Sequence, residues 1–389
     1  MINLDKLNLK GKKVLIRLDL NVSSRNPKEI TKEERFNAAL PMIQYVTERG
    51  GKAILMSHLG RPDGKVVRED SLKCVAKALE SKLNAKVAFP GNCIGKKVEE
   101  TIESMKDGDI TLLENLRFHP EEESNNVIFA KSLAKLGNVY INDAFGTAHR
   151  KHASIYGIPT LFKGKKPVAI GLLMQKEIDT WSSVMNNASP KYLCIGGAKL
   201  KEKINALAKL SGEFNETYMG GLVYNVVRAA QGRSIGISKI TEKDKEDYVA
   251  KTKEFLDDVK NIIMPDYLTI AKPTKGGFTN AKKIAESDEV PKGYAIVDCI
   301  YEGEKLEQLS QANVGVCFGP FGVFEKEKGG FAEGTKNIGQ AFNNINVAIF
   351  AGGDSGTAYG GIKANFSTGG GAAIKYLESK KLVAINALK

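Results

Sequence analysis

Histidine is scarce and one-sided in this chain. It occurs four times in 389 residues, at positions 58, 119, 149 and 152, so histidine chemistry is excluded from the second half. Arginine is sparse too: ten of 57 basic residues, eight of them before residue 151. The five cysteines (74, 93, 194, 299 and 317) are odd in number, scattered and never spaced C-x-x-C. That argues against a disulfide scaffold or a zinc site and fits a reducing cytoplasm. No apolar run approaches the ~20 residues of a membrane helix. The opening Met-Ile-Asn-Leu-Asp-Lys lacks the apolar centre of a signal peptide, so a cytoplasmic location is expected. There is no G-x-x-x-x-G-K-[ST] and no G-x-G-x-x-G, which disfavours a P-loop kinase or an ordinary dehydrogenase. Internal repeats and low-complexity tracts are lacking as well.

What is present is length, charge and a regular strand pattern. A chain this long exceeds one usual core, so two domains are expected. Net charge is +12, and it is uneven. Residues 1–170 carry 29 Lys+Arg against 20 Asp+Glu (+9), and residues 171–389 carry 28 against 25 (+3). A basic half suggests an anionic partner. Nucleic acid is the rival partner, but no dense Lys/Arg block or basic–aromatic interleaving supports it.

Short apolar runs alternate with helical patterns. Candidate strands are Val14–Ile16, Ala53–Met56, Ile110–Leu113, Val139–Ile141, Val168–Ile170, Tyr192–Ile195, Thr217–Met219, Ile262–Met264, Ala295–Val297, Val314–Cys317 and Val347–Phe350. Near-continuous apolar strands separated by helices indicate parallel sheets covered on both faces. The expected class is α/β: two doubly wound, parallel-sheet (Rossmann-like) domains joined by a helix and hinge. Met174, Ile178, Trp181 and Met185 recur at helical spacing, so residues 171–186 predict one amphipathic helix, an interdomain connector or a plain surface helix.

In such folds ligands bind beyond the carboxyl ends of strands. The first half delivers Arg17, Asp19 and Asn21 there, then Ser57-His58-Leu59-Gly60-Arg61-Pro62. Glu114 to Pro120 with Arg117 follows, then Asn142 to Arg150 with His149 and Arg150. Each set alone could be loop salt bridges. Four consecutive strand ends that each supply an Arg, with Arg35 opening a helical run, could instead converge on one small polyanion.

Second-half strand ends are rich in glycine. Gly196-Gly197-Ala198-Lys199 leads into a helix carrying Lys203, and Gly220-Gly221 follows the next strand. Lys199 and Lys203, four apart near a helix start, oppose the helix dipole unless an anion lies between them. Gly319 to Glu325 and Ser367 to Gly371 are further turns. Val347–Phe350 runs into Ala351-Gly352-Gly353-Asp354-Ser355, a turn before a helix start that suits an anion, with Asp354 either beside a divalent cation or only a cap. Phosphate would thus be held by Arg forks in one domain and by glycine turns and Lys in the other, which makes hinge closure an expectation.

In order and spacing, these segments together resemble the phosphoglycerate kinase family nearly end to end. The resemblance rests on Arg17 to Asn21, Ser57 to Pro62, Leu113 to His119, Asn142 to Arg150, Gly196 to Lys203, Gly319 to Glu325, Gly352 to Ser355 and Ser367 to Gly371. It implies phosphoryl transfer between 1,3-bisphosphoglycerate and MgADP, giving 3-phosphoglycerate and MgATP. It places phosphoglycerate on Asp19, Leu20, Asn21, His58, Leu59, Gly60, Arg61, Arg117 and Arg150, with Arg17 and His149 supporting. Arg35 would neutralise the transferring group. Nucleotide would lie on Lys199, Lys203, Gly220, Gly221, Gly319, Glu325 (ribose), Gly352, Gly353, Asp354 and Ser355, with Asp354 on Mg2+. Arg35, Lys199, Lys203 and Gly353 would be the catalytic set. The resemblance further implies a C-terminal segment that returns to the first domain. Expected bounds are then 1–170 plus about 372–389 for the phosphoglycerate domain, 171–186 for the connector and 187–371 for the nucleotide domain, with a monomer sufficient.

The chain departs from the family pattern mainly in the second half. Cys317-Phe318 replaces Trp-Asn, Met219 a glycine, Glu202 an Asp, Ala351 a glycine, Ser355 a Thr and Asn365 a His. Unusual nucleotide affinity or base preference is therefore expected. A phosphoglycerate-binding relative without turnover, or a nucleic-acid-binding protein, is the alternative.

Overall fold

The structure is a computed structural model that describes residues 3–26, 29–31, 33–240, 245–353 and 355–389. The chain divides into two compact units, Met1–Trp181 with Ser379–Lys389, and Ser182–Glu378. No helix among the described residues is long and apolar enough to cross a membrane.

The first unit contains β1 (Lys13–Arg17), β2 (Ser23–Asn26), β3 (Glu29–Thr31), β4 (Lys52–Met56), β5 (Val87–Ala88), β6 (Ile110–Leu112), β7 (Val139–Asn142) and β8 (Val168–Ile170). Six of them form one parallel sheet in the order β5-β6-β4-β1-β7-β8, while β2 and β3 make a hairpin. Val14, Leu15 and Ile16 are fully buried, as a strand covered on both faces requires. The helix Glu33–Glu48 lays Phe36, Ala39, Ile43 and Val46 on that sheet at helical spacing. β1 lies between β4 and β7, where the strand order reverses, so its carboxyl end opens at the switch point of a doubly wound sheet.

The second unit contains β9 (Lys191–Ile195), β10 (Glu216–Met219), β11 (Ile262–Ile263), β12 (Tyr267–Thr274), β13 (Gly277–Ala285), β14 (Ala295–Ile300), β15 (Val314–Phe318), β16 (Val347–Ala351) and β17 (Asn365–Ser367). Its parallel sheet runs β11-β10-β9-β15-β16-β17. One expectation is corrected here: Ala295–Val297 belongs to an antiparallel sheet, β13-β12-β14, and not to a parallel one. An edge strand of that sheet, β13, carries mostly exposed residues, including Lys282 and Lys283, so no apolar run marks it in the sequence.

The helix Leu172–Asn186 forms as its periodicity predicts. The unit boundary falls inside it, after Trp181. Its start is capped by Asp143, whose Oδ1 accepts the Met174 N–H at 2.9 Å, and burial lifts this carboxyl to about 7. The return to the first unit begins at Ser379, later than residue 372. The helix Gly370–Ser379 stays with the second unit because Tyr376 pairs with the Ser182 hydroxyl at 2.9 Å and Glu378 with Lys209 at 3.5 Å. The final helix Val383–Leu388 docks on the first unit, with the Ala384 N–H donating to the Ala148 carbonyl at 2.9 Å.

Beyond the last paired residues of β10 and β11, the phenol of Tyr301 stands in for a ladder rung. Its oxygen accepts the Met219 N–H at 2.9 Å and lies 2.9 Å from the carbonyls of both Met219 and Ile263. Tyr301 is fully buried. Replacing it by phenylalanine strands those groups, so Tyr301→Phe should destabilise the protein by about 1–3 kcal/mol in denaturant titration.

Candidate active site

In the first unit the switch point gathers the arginines. Arg17, the last residue of β1, is 1 % exposed. Its Nε donates to the Ser154 hydroxyl at 2.9 Å, its Nη1 to the Leu18 carbonyl, and its Nη2 lies 3.3 Å from His58 Nδ1. Arg35 reaches Asp19 from the helix Glu33–Glu48, with Nη1 at 3.2 Å from Oδ2. Arg117 donates to the Gly60 carbonyl at 3.0 Å and pairs with Glu123 at 3.1 Å. The side-chain oxygen of Asn21 accepts the Gly60 N–H at 3.0 Å, which joins the loops after β1 and β4. Ser57 joins them again, accepting the Leu20 N–H and donating to the Leu18 carbonyl, both at 2.9 Å.

The field in this region is strongly positive. His58 is buried and is held well below its ordinary value by burial, then by Arg17, Arg117, Arg35 and Arg150. His152 is pushed down to about 3 by burial, then by Arg17, Arg117, Arg150 and His149. Of the five arginines expected to converge, 17, 117, 35 and 150 all hold the His58 value down, and Arg61 is exposed. Leu20 and Leu59 are buried, so their backbone is what they offer a ligand. Two residues were not singled out from the sequence: Glu122, fully buried, and Ser154. Glu122 is the middle of three consecutive glutamates, and nothing in the charge pattern says which of them turns inward.

In the second unit the glycine turns after adjacent strands pack on one another. A side chain at Gly196 would lie 2.3 Å from the Pro320 carbonyl oxygen, and one at Gly220 would lie 2.5 Å from the Phe321 ring. The Gly221 N–H donates to the Phe321 carbonyl at 2.8 Å and the Gly196 N–H to the Phe318 carbonyl at 2.9 Å. Glycine is therefore required for close backbone approach as well as for any anion. Lys199 is the N-cap residue of the helix Leu200–Leu210, and Lys203, one turn on, hydrogen-bonds the Gly196 carbonyl at the end of β9. Gly319 follows β15, and Glu325 pairs with Lys328 at 2.9 Å. Gly352 and Gly353 follow β16. The Gly352 N–H donates to the Ser367 carbonyl at 3.0 Å, so this amide already has a partner. Asp354, the expected metal ligand, lies outside the described residues. The helix that begins at Ser355 lasts one turn, to Ala358, as the glycines at 356, 360 and 361 favour. The departures at Met219 and Phe318 turn inward: both side chains are buried, at 0 % and 1 % exposure, within the strand core.

The pH consequence for His152 has a definite sign. Its folded value is depressed, so the unfolded chain takes up the proton first as pH falls. Stability from this residue is complete above about 6.5 and is lost between there and about 3. Wild type should lose about 2 kcal/mol more than His152→Asn between pH 7 and pH 5, measured by denaturant unfolding without ligand.

Comparison with known proteins agrees with this geometry. The family model for phosphoglycerate kinase matches residues 4–380. A phosphoglycerate kinase of Dictyostelium discoideum is 37 % identical over 419 residues, covering 100 % of this chain and 97 % of that protein. One of Chlorobium phaeobacteroides is 40 % identical over 395 residues, covering 98 % of each. Among solved structures, the phosphoglycerate kinase of Pyrococcus horikoshii superposes with a TM-score of 0.85 at 31 % identity, covering 100 % of this chain and 98 % of that one. That of Coxiella burnetii gives 0.77 at 32 %, covering 99 % and 98 %. The match spans both units and the cationic strand ends alike, and the chain belongs to the phosphoglycerate kinase family.

Proposed function

We infer that the protein transfers a phosphoryl group between 1,3-bisphosphoglycerate and ADP, giving 3-phosphoglycerate and ATP. The observation that carries this reading is the meeting of Arg17, Arg35, Arg117 and Arg150 around a neutral His58 at the switch point, in a chain that matches the family over residues 4–380. Phosphoryl transfer asks little covalent chemistry of a protein; it asks for positioning and for charge opposite the transferring oxygens. Guanidiniums held by backbone carbonyls and carboxylates provide both, because their orientation is set before the ligand arrives.

In this reading Asp19, Asn21, His58, Arg61, Arg117 and Arg150 hold the phosphoglycerate, with the backbone at Leu20, Leu59 and Gly60 and support from Arg17 and His149. Arg35 neutralises the transferring group. The half-exposed Glu325 carboxylate takes the ribose hydroxyls, Lys199 and Lys203 the nucleotide phosphates, and Gly220, Gly221, Gly319, Gly352 and Gly353 present backbone to the nucleotide. Among the described residues no cluster of three or more His, Cys, Asp or Glu could hold a metal. One carboxylate together with phosphate oxygens is a hard-oxygen set that Mg2+ takes. The buried Ser355 hydroxyl has no partner among the described residues and lies next to the carboxylate of Asp354 in sequence, so these two would hold it. When bound, Mg2+ neutralises charge on the phosphates. The reading includes a cytoplasmic monomer, and the five free thiols suit a reducing compartment.

A coupled assay for ATP formation from the acyl phosphate tests this. Wild type should turn over, and Arg35→Ala should lower kcat about 100-fold or more. Its thermal midpoint should fall too, because Asp19 is 4 % exposed and loses its ion-pair partner, so the two proteins are compared at a temperature where both are folded. Calorimetric binding of 3-phosphoglycerate with no ATP formation would leave a binding protein and overturn the kinase reading.

A further inference from the structure

The buried carboxylate of Glu122 has no evident place in the transfer itself, and what it touches suggests one. Ser154 stands between Glu122 and Arg17. The Ser154 hydroxyl donates to Glu122 Oε1 at 2.5 Å and its backbone N–H to Oε2 at 2.9 Å. The same hydroxyl oxygen accepts from Arg17 Nε at 2.9 Å. The Tyr140 phenol donates to the Ser154 carbonyl at 2.7 Å and so fixes the serine from the other side. All three guanidinium nitrogens of Arg17 are thus engaged: Nε by Ser154, Nη1 by the Leu18 carbonyl and Nη2 by His58.

An arginine nitrogen can only donate. The 3.3 Å contact between Arg17 Nη2 and His58 Nδ1 therefore requires Nδ1 to accept, which leaves the imidazole proton on Nε2. Among the described residues no hydrogen-bond partner is recorded for Nε2. We propose that Glu122 and Ser154 are positioning residues that act through Arg17 to hold His58 as its neutral Nε2–H tautomer, ready to donate to an anionic ligand. This rests on the reading of the first unit as the phosphoglycerate site. The serine spacer has a physical use: a direct carboxylate–guanidinium pair would quench the cation, while a bridged one keeps Arg17 compensated yet turned towards His58. The charges that bear on His58 are Arg17, Arg35, Arg117 and Arg150, opposed by Glu122, by Asp19 on Arg35 and by Glu123 on Arg117. With burial, they keep the ring uncharged at neutral pH.

The test is long-range proton–nitrogen correlation NMR on the full-length, ligand-free protein. Wild type should show His58 protonated on Nε2 alone at neutral pH. In Ser154→Ala, Arg17 loses its Nε acceptor, so both tautomers should appear. By calorimetry, 3-phosphoglycerate should bind about tenfold more weakly to this variant while ADP binding is unchanged, the scale of one hydrogen bond to a charged group. If Ser154→Ala does not fold, Glu122→Gln replaces it. A glutamine sets an amide NH2 against one of the two Ser154 donors and removes the buried charge that compensates Arg17, so Arg17 is displaced from His58 and the same tautomer mixing is expected. An unchanged His58 tautomer in the folded variant, or a wild-type proton on Nδ1, overturns the inference. Failure of wild type to bind 3-phosphoglycerate would instead overturn the ligand assignment, and the tautomer readout separates the two.

Discussion

A guanidinium taken out of water must be compensated, and the first unit is organised around one such group. Arg17 sits at the end of the central strand with almost no exposure, and its compensation comes from a buried glutamate through a serine. Because the cation is held by directional hydrogen bonds, its Nη2 is turned towards His58 at the start of the loop beyond β4. The other arginines add to the cation's field from separate elements: Arg35 from a helix, Arg117 from the turn after β6 and Arg150 from the segment after β7. Gathering like charges costs free energy in the empty protein. The histidines register part of that cost, since burial depresses them first and the arginines further, and a polyanion would offset the share due to charge.

The second unit meets phosphate chemistry by another route. Its strand ends are bare of side chains because the turns lie against each other, Gly196 on Pro320 and Gly220 on Phe321. A side chain in either place would force neighbouring strands apart. The same bareness lets Lys203 fold back onto the end of β9. Tyr301 holds the β10 end of this arrangement from inside the core, and its ring packs on Phe321 at 5.8 Å, so the turns after β10 and β15 share one support.

Much of this could be read from residues alone. Ten of the eleven candidate strands lie in the two parallel sheets, because buried parallel strands are apolar on both faces and so stand out as runs. The family resemblance was also legible, since loops beyond strand ends carry function as short sequence-local sets. The antiparallel strand β13 was not legible, because a mostly exposed strand has no apolar signature. Of the candidate site, the arginines were visible as rare residues at strand ends, but Glu122 and Ser154 were not. Their partners are Arg17, 137 residues from Ser154, and each other, 32 residues apart, and no local pattern encodes contacts that distant.

The sequence by itself determined the doubly wound architecture, the family and which residue types stand at the strand ends, because these follow from apolar periodicity and short local motifs. Only the tertiary structure decided which charges are buried, which carboxylate compensates Arg17, which nitrogen of His58 carries the proton, and that Met219 and Phe318 face the core. Those depend on the dielectric surroundings and on donors and acceptors that meet only after the chain has folded, and neither is a property of a residue or of its neighbours along the chain.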